Sequence, residues 1–322
     1  MKYITSVPEE QTEIQLQRNF TDILRFVACC MVAIGHYSGY AIAKLGANNI
    51  FYDIAAAQFG YLGVALFFFL SGYGLMKSVS NKTPSFVSFL SRRLSRTYLP
   101  AVLVSILWLI ISILVTGGGD LLCNQQYFLG VIWRFNDEVM WFVQTIIVLY
   151  LFFYLYIYLC SHICWKMAGL PLLLFMGTVA TFLVCLLGVG DPISVPLFFI
   201  GMAVAKWPEQ TRRLLRSWRP MLFCFLIILC VAVCGRYNNR TLHGLINYSS
   251  LLGFLLFCTY YNAMIPVLPK WVGGSSYDLY LTHYKIHLLI VYLFVIDQLW
   301  MFTVGTACGT FLFYHLRRAL HL

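Results

Sequence analysis

Charge is what this chain has least of. Asp, Glu, Lys and Arg make up 11% of its 322 residues, and only 12 residues are acidic, against a hydrophobic share of 61%. With a mean hydropathy of +0.78, the apolar fraction exceeds what a core can hide, which excludes a water-soluble globule. The alternating pattern of barrel strands is also missing. The apolar runs are instead about 20 residues long, the length at which a helix crosses hydrocarbon with its backbone satisfied internally. No HExxH, GxSxG, Walker-type or paired CxxC motif occurs, so metalloprotease, serine-hydrolase, nucleotide-hydrolase and zinc chemistry have no support; no metal and no tightly bound cofactor is expected. The 11 cysteines are scattered, mostly inside apolar runs (Cys29, Cys30, Cys185, Cys224, Cys258), and read as small packing residues. The first 18 residues are polar and carry no small-residue cleavage site, so they are expected to be a cytoplasmic lead-in and not a signal peptide.

What is present points to an all-α, polytopic membrane bundle. About ten spans are expected, at 21–42, 56–76, 99–116, 139–160, 168–188, 194–206, 220–234, 247–265, 276–296 and 299–316, the count lying between nine and eleven because the sixth and seventh are short. Short spans of this kind are tilted, partly re-entrant or shielded by neighbours. No repeat, low-complexity segment or separate soluble domain is apparent. The division expected is a polar tail at 1–20, a transmembrane domain at 21–317 and a short tail at 318–322. With the amino terminus inside, 17 of the 22 Lys and Arg residues fall on the cytoplasmic side and four outside, with Lys285 in a span, so both termini are expected in the cytoplasm. The net charge of +10 therefore belongs to alternate loops and not to one soluble face, which argues for a membrane and an anion as partners and against nucleic acid.

One stretch organises the rest. Asn19 to Tyr40 is an apolar helix that carries Arg25 and His36, two groups hydrocarbon would reject. Eleven residues turn through about 1100° and rise about 16 Å, so the two share a face, one near the membrane surface and one deep. An ionisable residue inside a span is costly and is a functional hypothesis by default. The plainer account has Arg25 snorkelling to the headgroups and His36 bonding a neighbouring helix.

Further constellations follow in order. Ser71 and Gly72 interrupt an aromatic wall at the end of the second span, where glycine permits close backbone approach or serves helix packing. Arg92, Arg93 and Arg96 lie three and four apart, so an α-helical turn gathers three guanidiniums, whose forks match phosphate oxygens; ordinary positive-inside charge is the competing account. The outer loop with Trp133, Asn136, Asp137, Glu138 and Trp141 mixes aromatic platforms with polar groups, as sugar recognition requires and as an interfacial aromatic belt also supplies.

Taken in order, Arg25-x10-His36, FFFLSGY at 67–73, FLSRRLSRTYLP at 89–100, MWFVQTIIVLY at 140–150 and SYDLYLTHYKI at 276–286 resemble the acyltransferase-3 family, over Thr21 to about His287. Members are multipass proteins that O-acylate glycans. The resemblance implies acyl-CoA as a cytoplasmic co-substrate and a carbohydrate acceptor reached from the opposite face, in a cell membrane of the bacterial inner-membrane type. His36 takes the catalytic place with Arg25. Arg92, Arg93, Arg96, Ser71, Gly72 and Tyr73 are expected on the acyl-CoA side, and Trp141, Gln144, Glu138, Tyr280 and His283 on the acceptor side or lining. One departure stands out: many members carry an acidic residue in a GVDLFF-type segment, where this chain has Ala65, and Asp22 or Asp278 could partly compensate.

The chemistry implied is transfer of an acyl group, acetyl being the expected one, to a sugar hydroxyl. His36 either takes the hydroxyl proton or carries the acyl group itself, and an ordinary pKa of about 6.5 leaves its imidazole largely neutral for both tasks. The other class open at this point is a secondary transporter or glycan exporter with Arg25 and His36 as a relay. The arginine cluster, which a transporter does not need, and the lack of inverted hydropathy repeats favour the enzyme.

Overall fold

Apolar runs of span length, broken by short polar segments, fold here into packed helices. The computed structural model describes residues 18–79, 84–116, 141–162, 169–188, 190–215, 244–249, 251–253, 270–294 and 299–320, and among them no strand occurs. In chain order the helices are α1 (Arg18–Leu45), α2 (Ile50–Ser78), α3 (Phe86–Val115), α4 (Trp141–His162), α5 (Gly169–Leu187), α6 (Val195–Lys206), α7 (Pro208–Leu215), α8 (Lys270–Phe294) and α9 (Leu299–Ala319). Six helices among the described residues, α1 to α5 and α9, are long and apolar enough to cross a membrane. Of the ten expected spans, 220–234 lies outside the described residues and 247–265 lies largely outside them.

The outside of the bundle is its oily part. Leu114, Phe182, Leu186, Leu174 and Phe175 on α3 and α5, and Trp300, Phe311 and Leu312 on α9, are among the most exposed side chains. In water this would be a liability; in hydrocarbon it is the lipid face. Helix α8 inverts the pattern. Asp278, His283, Lys285 and His287 are all buried, so a helix that hydropathy ranks low belongs inside the bundle, where such groups find partners.

Small residues set the closest helix approaches. A Cβ on Gly63 would strike the Ala28 carbonyl, and one on Gly35 would strike Gly60 and Ala55, which brings α1 and α2 together as an antiparallel pair. Helix α6 crosses α2 still more closely: a Cβ on Gly72 would collide with the Phe198 carbonyl, and one on Gly201 with the Phe69 carbonyl. At 12 residues α6 is about 18 Å long, short of the hydrocarbon core. Val195, Leu197, Phe198 and Met202 are fully buried, so α6 is shielded by its neighbours, one of the outcomes expected for a short span.

Helix direction follows from the contacts. Cys29 Sγ donates to the Ser276 carbonyl (2.7 Å), His36 meets His283 and Tyr40 meets His287, so α1 and α8 run parallel. Arg317 pairs with Asp278, Thr310 with Thr282 and Phe302 with His287, so α9 runs back against α8. The start of α1 and the end of α9 therefore lie at one end of the bundle. Arg25, Arg92, Arg93, Arg96 and Arg317 belong to that same end.

Candidate active site

Arg25 sits at the arginine-bearing end of α1. Its Nη1 donates to Asp22 Oδ1 at 2.9 Å, one helical turn earlier, and its Nη2 lies 3.6 Å from where a Cβ on Gly74 of α2 would stand. The side chain is 37% exposed, so the guanidinium borders both the bundle and its surroundings.

The three arginines of α3 differ in exposure and in what they touch. Ser85 caps the helix by accepting from Ser88 N, and after Arg93 the helix widens into a π-helical turn, Leu94–Tyr98, before returning to α geometry. That wide turn breaks the α spacing from which a single three-arginine cluster was expected. Arg92 is exposed and its Nε donates to its own helix, at the Ser88 carbonyl (3.0 Å). Arg96 is exposed as well. Arg93 turns inward, half-buried, over the Phe89 ring at 5.7 Å, and its buried Nε makes no hydrogen bond. Tyr150 Oη of α4 lies 3.3 Å from Thr97 Oγ1. Tyr277 Oη of α8 donates to the Thr97 carbonyl at 2.7 Å, which ties the π turn to the helix that carries His283.

Of the segment 71–73, Ser71 is half-buried while Gly72 and Tyr73 are buried. Gly72 faces the α6 backbone, and Tyr73 stacks on Phe69 (6.3 Å between centroids). The glycine beside Arg25 is Gly74, two residues further on.

Deep on the same face of α1 lies a cluster of imidazoles and phenols. His36 meets His283 (5.5 Å between ring centroids) and Tyr284 (5.2 Å). His287 packs against Tyr40 (4.7 Å), Phe302 (5.4 Å) and Tyr37 (6.1 Å). Parallel packing of α1 and α8 makes this possible, because histidines at 283 and 287 repeat one helical turn apart and meet 36 and 40 in register. His283 is fully buried and its Nδ1 donates to the Tyr280 carbonyl at 2.7 Å, with Leu279 O at 3.2 Å. A carbonyl can only accept, so the proton is on Nδ1 and, in the neutral ring, the lone pair is on Nε2. Tyr280 continues the line, 6.0 Å from His283 and against Phe67 and Phe142.

The two carboxylates weighed against Ala65 both prove to be held by arginines. Ala65 lies in the apolar core. Asp22 binds Arg25, and Asp278, fully buried, takes a two-pronged contact from Arg317, Nε to Oδ1 at 2.7 Å and Nη2 to Oδ2 at 2.9 Å. The sequence places Arg317 only among the basic residues of the cytoplasmic side. Its role is signalled only by an aspartate inside SYDLY with no basic residue three or four positions away on its own helix. His287 was missed too, although its four-residue spacing from His283 is visible in the sequence. Lys285 points elsewhere, toward α3, with Nζ over the Trp108 ring at 5.8 Å.

At the opposite end, Trp141 and Gln144 are half-buried in the first turns of α4. Glu138, with Trp133, Asn136 and Asp137, lies outside the described residues. Among the described residues no group of three or more His, Cys, Asp or Glu side chains is placed to hold a metal ion, the three histidines included. The arrangement as a whole is a basic end joined by one helix face to a centre of two imidazoles, His36 half-buried and His283 buried, which suits capture of an anionic donor followed by proton or acyl transfer at depth.

A family model described as an acyltransferase domain matches residues 18–316. No curated protein and no solved structure matches the chain.

Proposed function

Since the chain belongs to the acyltransferase-3 family and is a multipass membrane protein, we propose that it moves an acyl group, acetyl in the simplest case, from cytoplasmic acyl-CoA to a hydroxyl of a carbohydrate acceptor. The observation that carries this reading is the face of α1 that leads from Arg25, at the arginine-bearing end, to His36 against His283. Arg93 is the arginine best placed for a donor phosphate: it is turned inward and has an Nε to offer. The donor's arm then has to cover the roughly 16 Å between Arg25 and His36.

At His36 the reaction takes one of two balanced courses. In the covalent course the imidazole attacks the thioester carbonyl, the C–S bond breaks, CoA leaves as thiolate, and the acceptor oxygen later displaces the imidazole while its proton passes to a base. In the direct course His36 takes the hydroxyl proton as the oxygen attacks the thioester carbonyl, the C–S bond breaks, and CoA leaves as thiolate that takes up the proton from the imidazolium. His283 serves either course as the second imidazole, since its Nδ1 is committed to a carbonyl and its ring orientation is thereby fixed. Acetyl-CoA labelled in the acyl carbon, mixed with the purified protein in nanodiscs without acceptor, tests the course: label trapped on His36 establishes the covalent one, and its absence under single-turnover conditions rejects it. Substrate flux without acyl-CoA and without CoA release would instead mark a transporter.

A further inference from the structure

The loop between α5 and α6 is built in a way that helix packing alone does not explain. Gly188 and Gly190 both have positive φ (62° and 89°), and a Cβ on Gly190 would run into Thr145 Oγ1 and the Trp141 ring, so the loop backbone is laid directly on the first turns of α4. Asp191 then folds the loop back on itself: its carboxylate accepts from Ile193 N (3.1 Å) and from Ser194 Oγ, which is fully buried. A helical stretch at 244–249 docks on the same loop. Tyr248 Oη donates to the Ile193 carbonyl (3.0 Å), and Asn247 Nδ2 donates to Ser194 Oγ (3.4 Å). Asn247 is 1% exposed, and its Oδ1 has no hydrogen-bond partner.

A buried amide oxygen left unmatched costs about 1–3 kcal/mol, and such groups persist where a partner arrives from elsewhere. Its neighbours say what the partner is. Asp191 and Asn247 present acceptors, Trp141 presents an indole, and no Lys or Arg is among these contacts. Among the described residues that meet here the Asp191 carboxylate repels an anion, whereas a neutral sugar supplies hydroxyl donors for the acceptors and a C–H face for the indole. The loop also lies at the end of α4 that leads to the imidazoles: Phe142, next to Trp141, packs on Tyr280 at 5.3 Å, and Tyr280 on His283 at 6.0 Å.

We propose that Trp141, Asp191 and Asn247, with Gly190 and Ser194 of the same loop, form a subsite that holds a neutral sugar residue of the acceptor while another residue of the same glycan reaches His36. This rests on the acyl-transfer reading for its purpose, though not for its chemistry. The test uses the full chain in nanodiscs and three probes, cellotetraose, chitotetraose and tetragalacturonate, followed by tryptophan fluorescence and by the thermal midpoint. At least one neutral probe binds and raises the midpoint, and the acidic one binds at least tenfold more weakly. Asn247→Leu, which removes the unmatched oxygen, raises the midpoint of the unliganded protein and lowers neutral-sugar affinity at least tenfold; Trp141→Phe weakens it severalfold. Tighter binding of tetragalacturonate, no binding by either neutral probe, or unchanged affinity in Asn247→Leu overturns the proposal. Acetyl-CoA turnover by the same unsubstituted sample separates the two readings. Sugar binding without turnover leaves the subsite and removes the acyltransferase chemistry, and turnover with affinity unmoved by Asn247→Leu does the reverse.

Discussion

At the scale of single residues, position decides between groups the sequence treats alike. Arg92 and Arg93 are neighbours with the same charge, yet one bonds its own helix in the open and the other points its Nε inward. Arg93→Lys is therefore expected to raise the KM for acyl-CoA about tenfold, or about 1.4 kcal/mol, because an ammonium cannot make the paired contact of a guanidinium. Arg92→Lys should change it less than twofold. Equal effects in a steady-state assay would mean that the arginines serve as undifferentiated surface charge. His36→Ala is expected to reduce transfer to background at equal abundance in the membrane, since one imidazole contributes little to insertion. Retained activity at matched expression would remove His36 from the reaction.

At the scale of elements, the bundle is held by features the local pattern shows only in part. The positions of α1, α2, α4, α5 and α9 were legible because long apolar runs have few alternatives in hydrocarbon, although α1 and α2 extend several residues past the runs that mark them. The continuity of α3 through its arginines was not, because a π turn leaves no compositional mark. Nor was the Asp278–Arg317 pair, which joins residues 39 apart on two helices that no spacing rule connects. Ring contacts between His36 and His283 were beyond the sequence for the same reason: the resemblance marked both residues, while their meeting depends on α1 and α8 lying parallel and in register. The pair can be tested by itself. Arg317→Ala leaves the fully buried Asp278 carboxylate without its cation and should lower stability by about 3–5 kcal/mol, seen as a fall in thermal midpoint. Asp278→Leu together with Arg317→Met should recover most of the loss. Gly72 yields a second test, since Gly72→Ala drives a methyl into the Phe198 carbonyl and should cost about 1–3 kcal/mol. Stability falling before donor affinity would assign Gly72 to the α2–α6 crossing.

For the molecule as a whole, the sidedness of the reaction rests on loop charge. The start of α1, the arginines of α3 and the end of α9 share one end of the bundle, and 17 of the 22 basic residues fall to the side proposed as cytoplasmic. Each one sent to the wrong side would lose about 1 kcal/mol of attraction to the anionic leaflet. On a cysteine-free background, Ser85→Cys should resist a membrane-impermeant thiol reagent in intact cells and react after permeabilisation, while Cys123 restored alone should react from outside. Labelling of Ser85→Cys in intact cells would place the donor on the wrong face.

The brevity of α6 decides what it can do without its neighbours. A helix of about 18 Å cannot cross hydrocarbon that measures about 30 Å, so its end groups would be left among lipid tails if it stood alone. Its close crossing with α2 at Gly72 and Gly201 therefore acts as a berth: detached from α2, α6 would have no depth in the bilayer at which both of its ends could be satisfied. The segment can settle only once α2 is in place.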